Sequence, residues 1–141
     1  MRFRGQARRG QWVALLAFGL GLAGCENRSA EGDGRDQLTP YQLAAITLCN
    51  DGAPRVLGFH KLAGRAKSRK LYEALAAPIV AETIRSQRAT NRTAAFGDFL
   101  AEFTAAEATF VWENRRVSAT ALDRKHLDWC RRQDDWISSY R

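Results

Sequence analysis

The chain has 141 residues, 45% of them hydrophobic and 26% charged, which is room for one modest folded domain and not for several. The 22 Lys/Arg and 15 Asp/Glu give a net charge of +7, but four arginines crowd into the first nine residues. From Cys25 onward, 18 basic residues face 15 acidic ones, a net +3. The high isoelectric point is therefore no argument for nucleic acid as a partner.

Arg2, Arg4, Arg8 and Arg9 form a cationic start, and Trp12 to Ala23 is an unbroken apolar run of 12 residues. That run suits a signal peptide and falls short of the roughly 20 residues a membrane-spanning helix needs. It closes on Leu22-Ala23-Gly24-Cys25. This tetrad resembles the lipobox of bacterial lipoprotein precursors. The resemblance covers residues 1–25 and implies cleavage between Gly24 and Cys25, with lipid attached to Cys25 as the new N-terminus. It also implies an outer-membrane, periplasm-facing location, because Glu26 replaces the Asp that retains such proteins in the inner membrane. Several acyl chains on one residue anchor durably, where a single chain binds marginally.

Glu26 to Gln37 holds two glycines, six charges and almost nothing apolar, the composition of a flexible tether. Thr39-Pro40 then reads as a helix start, Thr as N-cap and Pro as first helical residue. Tyr41, Ala45, Leu48 and Cys49 share one face of this helix, which Asp51-Gly52-Ala53-Pro54 stops. Residues 55–65 are ambiguous: Val56, Phe59 and Ala63 suit a short helix, and Gly58 and Gly64 weaken it. A second helical stretch is expected over 67–88, with Tyr72, Leu75, Ile79 and Thr83 as its seam and a kink or break at Pro78. A third is expected over 92–113, where Phe96, Leu100, Phe103, Ala106 and Phe110 recur at three- and four-residue steps. Its end at 109–112 also fits an extended segment. The last is expected over 119–140, striped by Leu122, Trp129, Trp136 and Tyr140. No alternation of period two persists, so the fold class is all-α: a small bundle of four or five helices over residues 39–141, closed by one disulfide.

The disulfide follows from the cysteine count. With Cys25 used by lipid, Cys49 and Cys130 remain in a compartment that permits oxidation. A bridge would close a loop of about 80 residues and stabilise by roughly 4 kcal/mol on chain entropy. No Cys-x-x-Cys pair suggests thiol exchange. The competing reading uses the same thiols: Cys49, His60, His126 and Cys130 as a tetrahedral metal site, with His126 and Cys130 one helical turn apart. The spacing of Cys49 and His60 is unusual for ligands, and the disulfide is favoured.

Residues 53–72 contain no acid, yet include Arg55, Lys61, Arg65, Lys67, Arg69 and Lys70. Arg65, Lys67, Arg69 and Lys70 are the candidate contact for an anionic partner; the plain alternative is a solvated face neutralised by Glu73, Glu82 or the tether. Trp112, Trp129, Trp136 and Tyr140 suit core positions, with Trp136 and Tyr140 the most exposed of the set. No catalytic motif is present: no Gly-x-Ser-x-Gly, no His-Glu-x-x-His, no phosphate-cradling glycine loop. Asp134 and Asp135 are adjacent and diverge on a helix; Asp98 and Glu102, four apart, fit a solvated stripe, and Glu107 lies five residues beyond Glu102. No cofactor is expected.

The sequence thus points to a lipid-anchored envelope lipoprotein without enzymatic activity, acting as a protein-interaction module. It would be an accessory component of an envelope or secretion machine, or an immunity or exclusion lipoprotein. Its expected partners are the membrane through the anchor, an envelope protein, and an anionic surface. The alternative is a periplasmic metal-binding or metal-sensing protein built on the Cys/His set.

Overall fold

Thr39 caps the first described α-helix by the chemistry its sequence suggests. Its Oγ1 accepts from Gln42 N at 3.1 Å while Gln42 Oε1 accepts from Thr39 N at 2.8 Å, a reciprocal capping box that satisfies two helix-start donors. The computed structural model describes residues 37–141. The expected lipobox with Gly24 and Cys25, and the expected tether up to residue 36, lie outside the described residues. Among those described, every regular element is helical: α1 Pro40–Asn50, α2 Ala53–Arg65, α3 Arg69–Arg88, α4 Ala94–Glu113, α5 Ala119–Arg132 and a short α6 Asp134–Ser138. The protein is a small all-α bundle, and Cys49 and Cys130 are its disulfide pair.

The chain falls into two compact units, one of residues 52–133 and one joining the segment ending at Asp51 to residues 134–141. In the larger unit, α3 and α4 pack along each other and α2 touches α3, α4 and α5. Its core is aromatic: Phe59 from α2, Tyr72 from α3, and Phe96, Phe99, Phe103 and Phe110 from α4 are all buried. Trp129 of α5 meets Phe103 edge-on at 5.4 Å and Phe110 at 5.5 Å. In the smaller unit α1 packs on α6, with Tyr41 and Tyr140 ring centroids 5.0 Å apart. Gln42 Nε2 donates to Ser138 Oγ across the same pair at 3.4 Å.

Three departures from the sequence expectation have physical causes; the stop after α1 is as expected, with Asp51 as C-cap. Pro54 then sits in the first turn of α2, where its missing N–H costs nothing. The ambiguous 55–65 segment is thereby helical. Pro78 does not break α3, which runs unbroken from Arg69 to Arg88. Pro78 is exposed, so the carbonyl one turn back, which loses its helical donor, is left to water instead of the core. The expected last helix is two helices. Gln133 N turns to Cys130 O at 3.1 Å and Gln133 Nε2 caps Trp129 O at 2.6 Å; Asp134 and Asp135 then start α6, where negative charge suits a helix N-terminus. Finally, Leu75 is not a seam residue: the buried line of α3 runs through Tyr72 and Ala76, and Leu71 and Leu75 face outward. The 109–112 segment is helical, not extended.

Gly97 is the glycine whose missing side chain matters. The Arg88 guanidinium lies so close that a Cβ on residue 97 would meet it at 3.2–3.3 Å. From there Arg88 Nη2 reaches Arg92 O at 2.7 Å and ties the α3–α4 turn.

Candidate functional site

α4 carries a carboxylate where its sequence calls for an apolar residue. Glu107 lies one turn after Phe103 and one before Phe110 and Val111, and its side chain exposes nothing. Two neighbouring helices supply its partners. Arg55 of α2 donates Nε to Oε1 at 2.5 Å and Nη2 to Oε2 at 2.9 Å, a two-pronged pair. His126 of α5 places Nε2 2.6 Å from the same Oε2. Burial pushes the Glu107 carboxyl up; the hydrogen bonds from Arg55 and His126, and then their charge, outweigh that and hold it below the ordinary carboxylate range. An ionised carboxylate only accepts, so His126 Nε2 carries the proton of this contact.

The cluster is closed. Both Glu107 oxygens are engaged, His126 is stacked on Trp129 at 5.8 Å, and Arg55 is 12% exposed. A general base needs a lone pair that substrate can reach, and Glu107 offers none. Next to it, Tyr72 Oη donates to Ala108 O at 2.7 Å, and Tyr72 stacks on Trp112 at 5.1 Å. Burial, then the negative charges of Glu107 and Glu73, raise the Tyr72 hydroxyl far above its ordinary value.

The Cys/His constellation is divided between separate roles. Cys49 and Cys130 are disulfide-bonded, so neither is a thiolate ligand. His126 Nε2 lies 3.6 Å from Cys130 Sγ but is turned to Glu107. His60 Nε2 lies 2.8 Å from Val117 O. Among the described residues no group of three or more His, Cys, Asp or Glu side chains is placed to hold a metal ion.

The basic run divides as well. Arg55, on the sequence one of its six cations, turns inward to Glu107. Arg69 is paired with Glu73 at 3.0 Å, with Thr109 Oγ1 beyond it at 3.4 Å. Glu82 is taken by Arg85. Lys61, Arg65, Lys67 and Lys70 are exposed, and none makes an ion pair or side-chain hydrogen bond with a described residue. Of the four C-terminal aromatics Trp129 is core and the others are half-buried: Trp112 lies under the Arg115 guanidinium at 3.9 Å, and Trp136 meets Tyr140 at 6.0 Å. Burial and then Asp135 raise the Asp134 carboxyl, and the two stay neighbours on a short helix without a cation between them.

One open groove of about 410 Å³ runs between α2 and the start of α5, with Pro54, Leu57 and His60 on one wall and Thr120 and Asp123 on the other. Its apolar wall includes Leu57, which is 41% exposed. No helix among the described residues is long and apolar enough to cross a membrane. No family model matches the chain, and no curated protein or solved structure matches it significantly.

Proposed function

We propose that this chain is a lipid-anchored envelope lipoprotein, held at the outer membrane and facing the periplasm, that works without catalysis by binding another envelope protein. The observation that carries the reading is the leader: four arginines, a 12-residue apolar run and Leu22-Ala23-Gly24-Cys25 in that order. The disulfide supports it, since oxidised cysteine pairs persist in exported proteins. The closed Arg55–Glu107–His126 cluster supports a non-catalytic role, because the converging ionisable groups neutralise one another in the core. A tether between anchor and domain keeps local concentration high, so a modest affinity suffices. An accessory part of an envelope machine and an immunity or exclusion protein are the two forms this role takes.

The test is Cys25→Ala in the full chain. The expected result is an uncleaved precursor that no longer fractionates with membranes as wild type does; normal processing overturns the lipoprotein reading. In-cell crosslinking of the wild-type chain, followed by capture and mass spectrometry, is expected to yield one stoichiometric protein partner. Absence of any protein above background overturns the interaction-module reading.

A further inference from the structure

The outward face of α3 is apolar where a surface helix is ordinarily charged. Leu71, Ala74, Leu75, Ala77, Pro78 and Ala81 are all exposed, and no ionisable residue occurs from Ala74 to Ala81. Leu71 is 43% exposed and Leu75 37%. α5 shows the ordinary pattern, its exposed face being Asp123, Arg124, Lys125, Asp128, Arg131 and Arg132. On α3 the spacing of 71, 74, 75 and 78 makes one stripe, opposite the Tyr72 and Ala76 line that enters the core. At about 1.5 Å per residue the stripe from Leu71 to Ala81 is about 15 Å long.

At its N-terminal end the charged border is basic. Lys67 and Lys70 sit at the start of the stripe, and Lys61 and Arg65 precede them at the end of α2, all four exposed and without a described ion-pair partner. The nearest acid in sequence, Glu73, is already neutralised by Arg69. A partner that covers the leucines must therefore also supply negative charge. A second copy of the same face does not: it brings the same cations, and Glu82 at the far end is already taken by Arg85.

We propose that this face of α3, with Lys61, Arg65, Lys67 and Lys70 at its border, is a contact for an anionic phospholipid bilayer. Such a surface offers phosphate charge and an apolar boundary together, which is what an interfacial helix with basic flanks requires. The inference rests on the envelope reading for the presence of a bilayer and adds an orientation to it. The anchor holds the chain near the membrane, and α3 sets which side of the larger unit lies against it.

The experiment is photocrosslinking in cells making the full chain, with p-benzoylphenylalanine in place of Leu75 and, as control, in place of Arg124 on α5. A phospholipid adduct at 75 that is absent at 124 is expected. Lys67→Glu with Lys70→Glu should lower that adduct by roughly tenfold or more, since each basic residue near an anionic surface contributes appreciably. An adduct at 75 with another polypeptide or a second copy, or none above the control, overturns the proposal. An adduct undiminished by the charge reversals overturns its anionic assignment. Fractionation of the same cells reports the lipid anchor separately, so the anchor and the α3 contact can each fail without the other.

Discussion

Glu107 Oε2 and His126 Nε2 stand 2.6 Å apart in a core position where the carboxylate has no exposed surface. With Arg55 on the same carboxylate, the contact joins α2, α4 and α5 through one buried charge. Replacing such a cluster wholesale by apolar groups is often neutral, whereas removing one member leaves a buried charge uncompensated. Glu107→Ala is thus expected to destabilise by about 3–5 kcal/mol. The triple change Arg55→Met, Glu107→Leu, His126→Phe should recover most of that loss. Urea unfolding of the three proteins checks this; a Glu107→Ala variant as stable as wild type would sink the argument.

The same carboxylate sets an acid limit. Its folded pKa lies below the ordinary value of 4.5, so the unfolded chain binds the proton more readily. The stability Glu107 contributes is present above the unfolded value and is lost as pH falls through the folded one. Wild type should therefore lose stability steeply below about pH 4.5. Glu107→Gln should be less stable at neutral pH and lose less on acidification. Parallel pH-dependent slopes in the two proteins would contradict the assignment.

Tyr72 sets the opposite limit. Its hydroxyl is raised above the ordinary value of 10.0 by burial and by the negative charges of Glu107 and Glu73. A group raised in the folded state contributes stability that is intact below the unfolded value and lost as pH rises through the folded one. Melting temperature should fall above about pH 10 in wild type. In Tyr72→Phe that alkaline loss should be reduced, at a neutral-pH cost of about 1 kcal/mol for the lost hydrogen bond to Ala108 O. An alkaline fall of equal size in both proteins would assign it to another group.

Cys49→Ala should lower the oxidised protein's stability by roughly 4 kcal/mol, the loop-closure value for a bridge spanning about 80 residues. Wild type in strong reductant should fall to the same level. A melting temperature indifferent to both treatments would show that the bridge is not stabilising.

Much of the fold is legible in the chain because the helices announce themselves locally. Thr39-Pro40 marks the start of α1, and the Phe96, Leu100, Phe103, Phe110 spacing marks α4 and its buried face. The start of α3 and α4 is displaced by two residues because the caps, Ser68 and Thr93, lie inside the periodic stretches. The division of α5 from α6 turns on Gln133 capping Trp129 O, a side-chain choice that periodicity does not encode. The Leu75 error has a simple origin: Leu75 is more hydrophobic than Ala76, and one residue is about 100° of helix, so hydropathy draws the seam off the packed line.

The ion cluster was less legible. Arg55 sits in a run of cations and Glu107 among spaced acids, so each alone fits a solvated face. The available signal was register: Glu107 occupies the turn between Phe103 and Phe110, squarely on the apolar stripe. What no spacing reveals is that Arg55, 52 residues earlier, arrives to meet it. The same contact removes Arg55 from the surface run and leaves Lys61, Arg65, Lys67 and Lys70 as its outward remainder.

The three-helix origin of the cluster also bears on how the larger unit assembles. A partly formed state in which α4 packs against α3 before α2 and α5 arrive buries the Glu107 carboxylate with nothing to neutralise it. Intermediates of that kind are penalised, as are alternative helix orders that carry Arg55 or His126 away from α4. One carboxylate thus acts as a coincidence detector for correct topology, and favours folding of residues 52–133 in a single cooperative step.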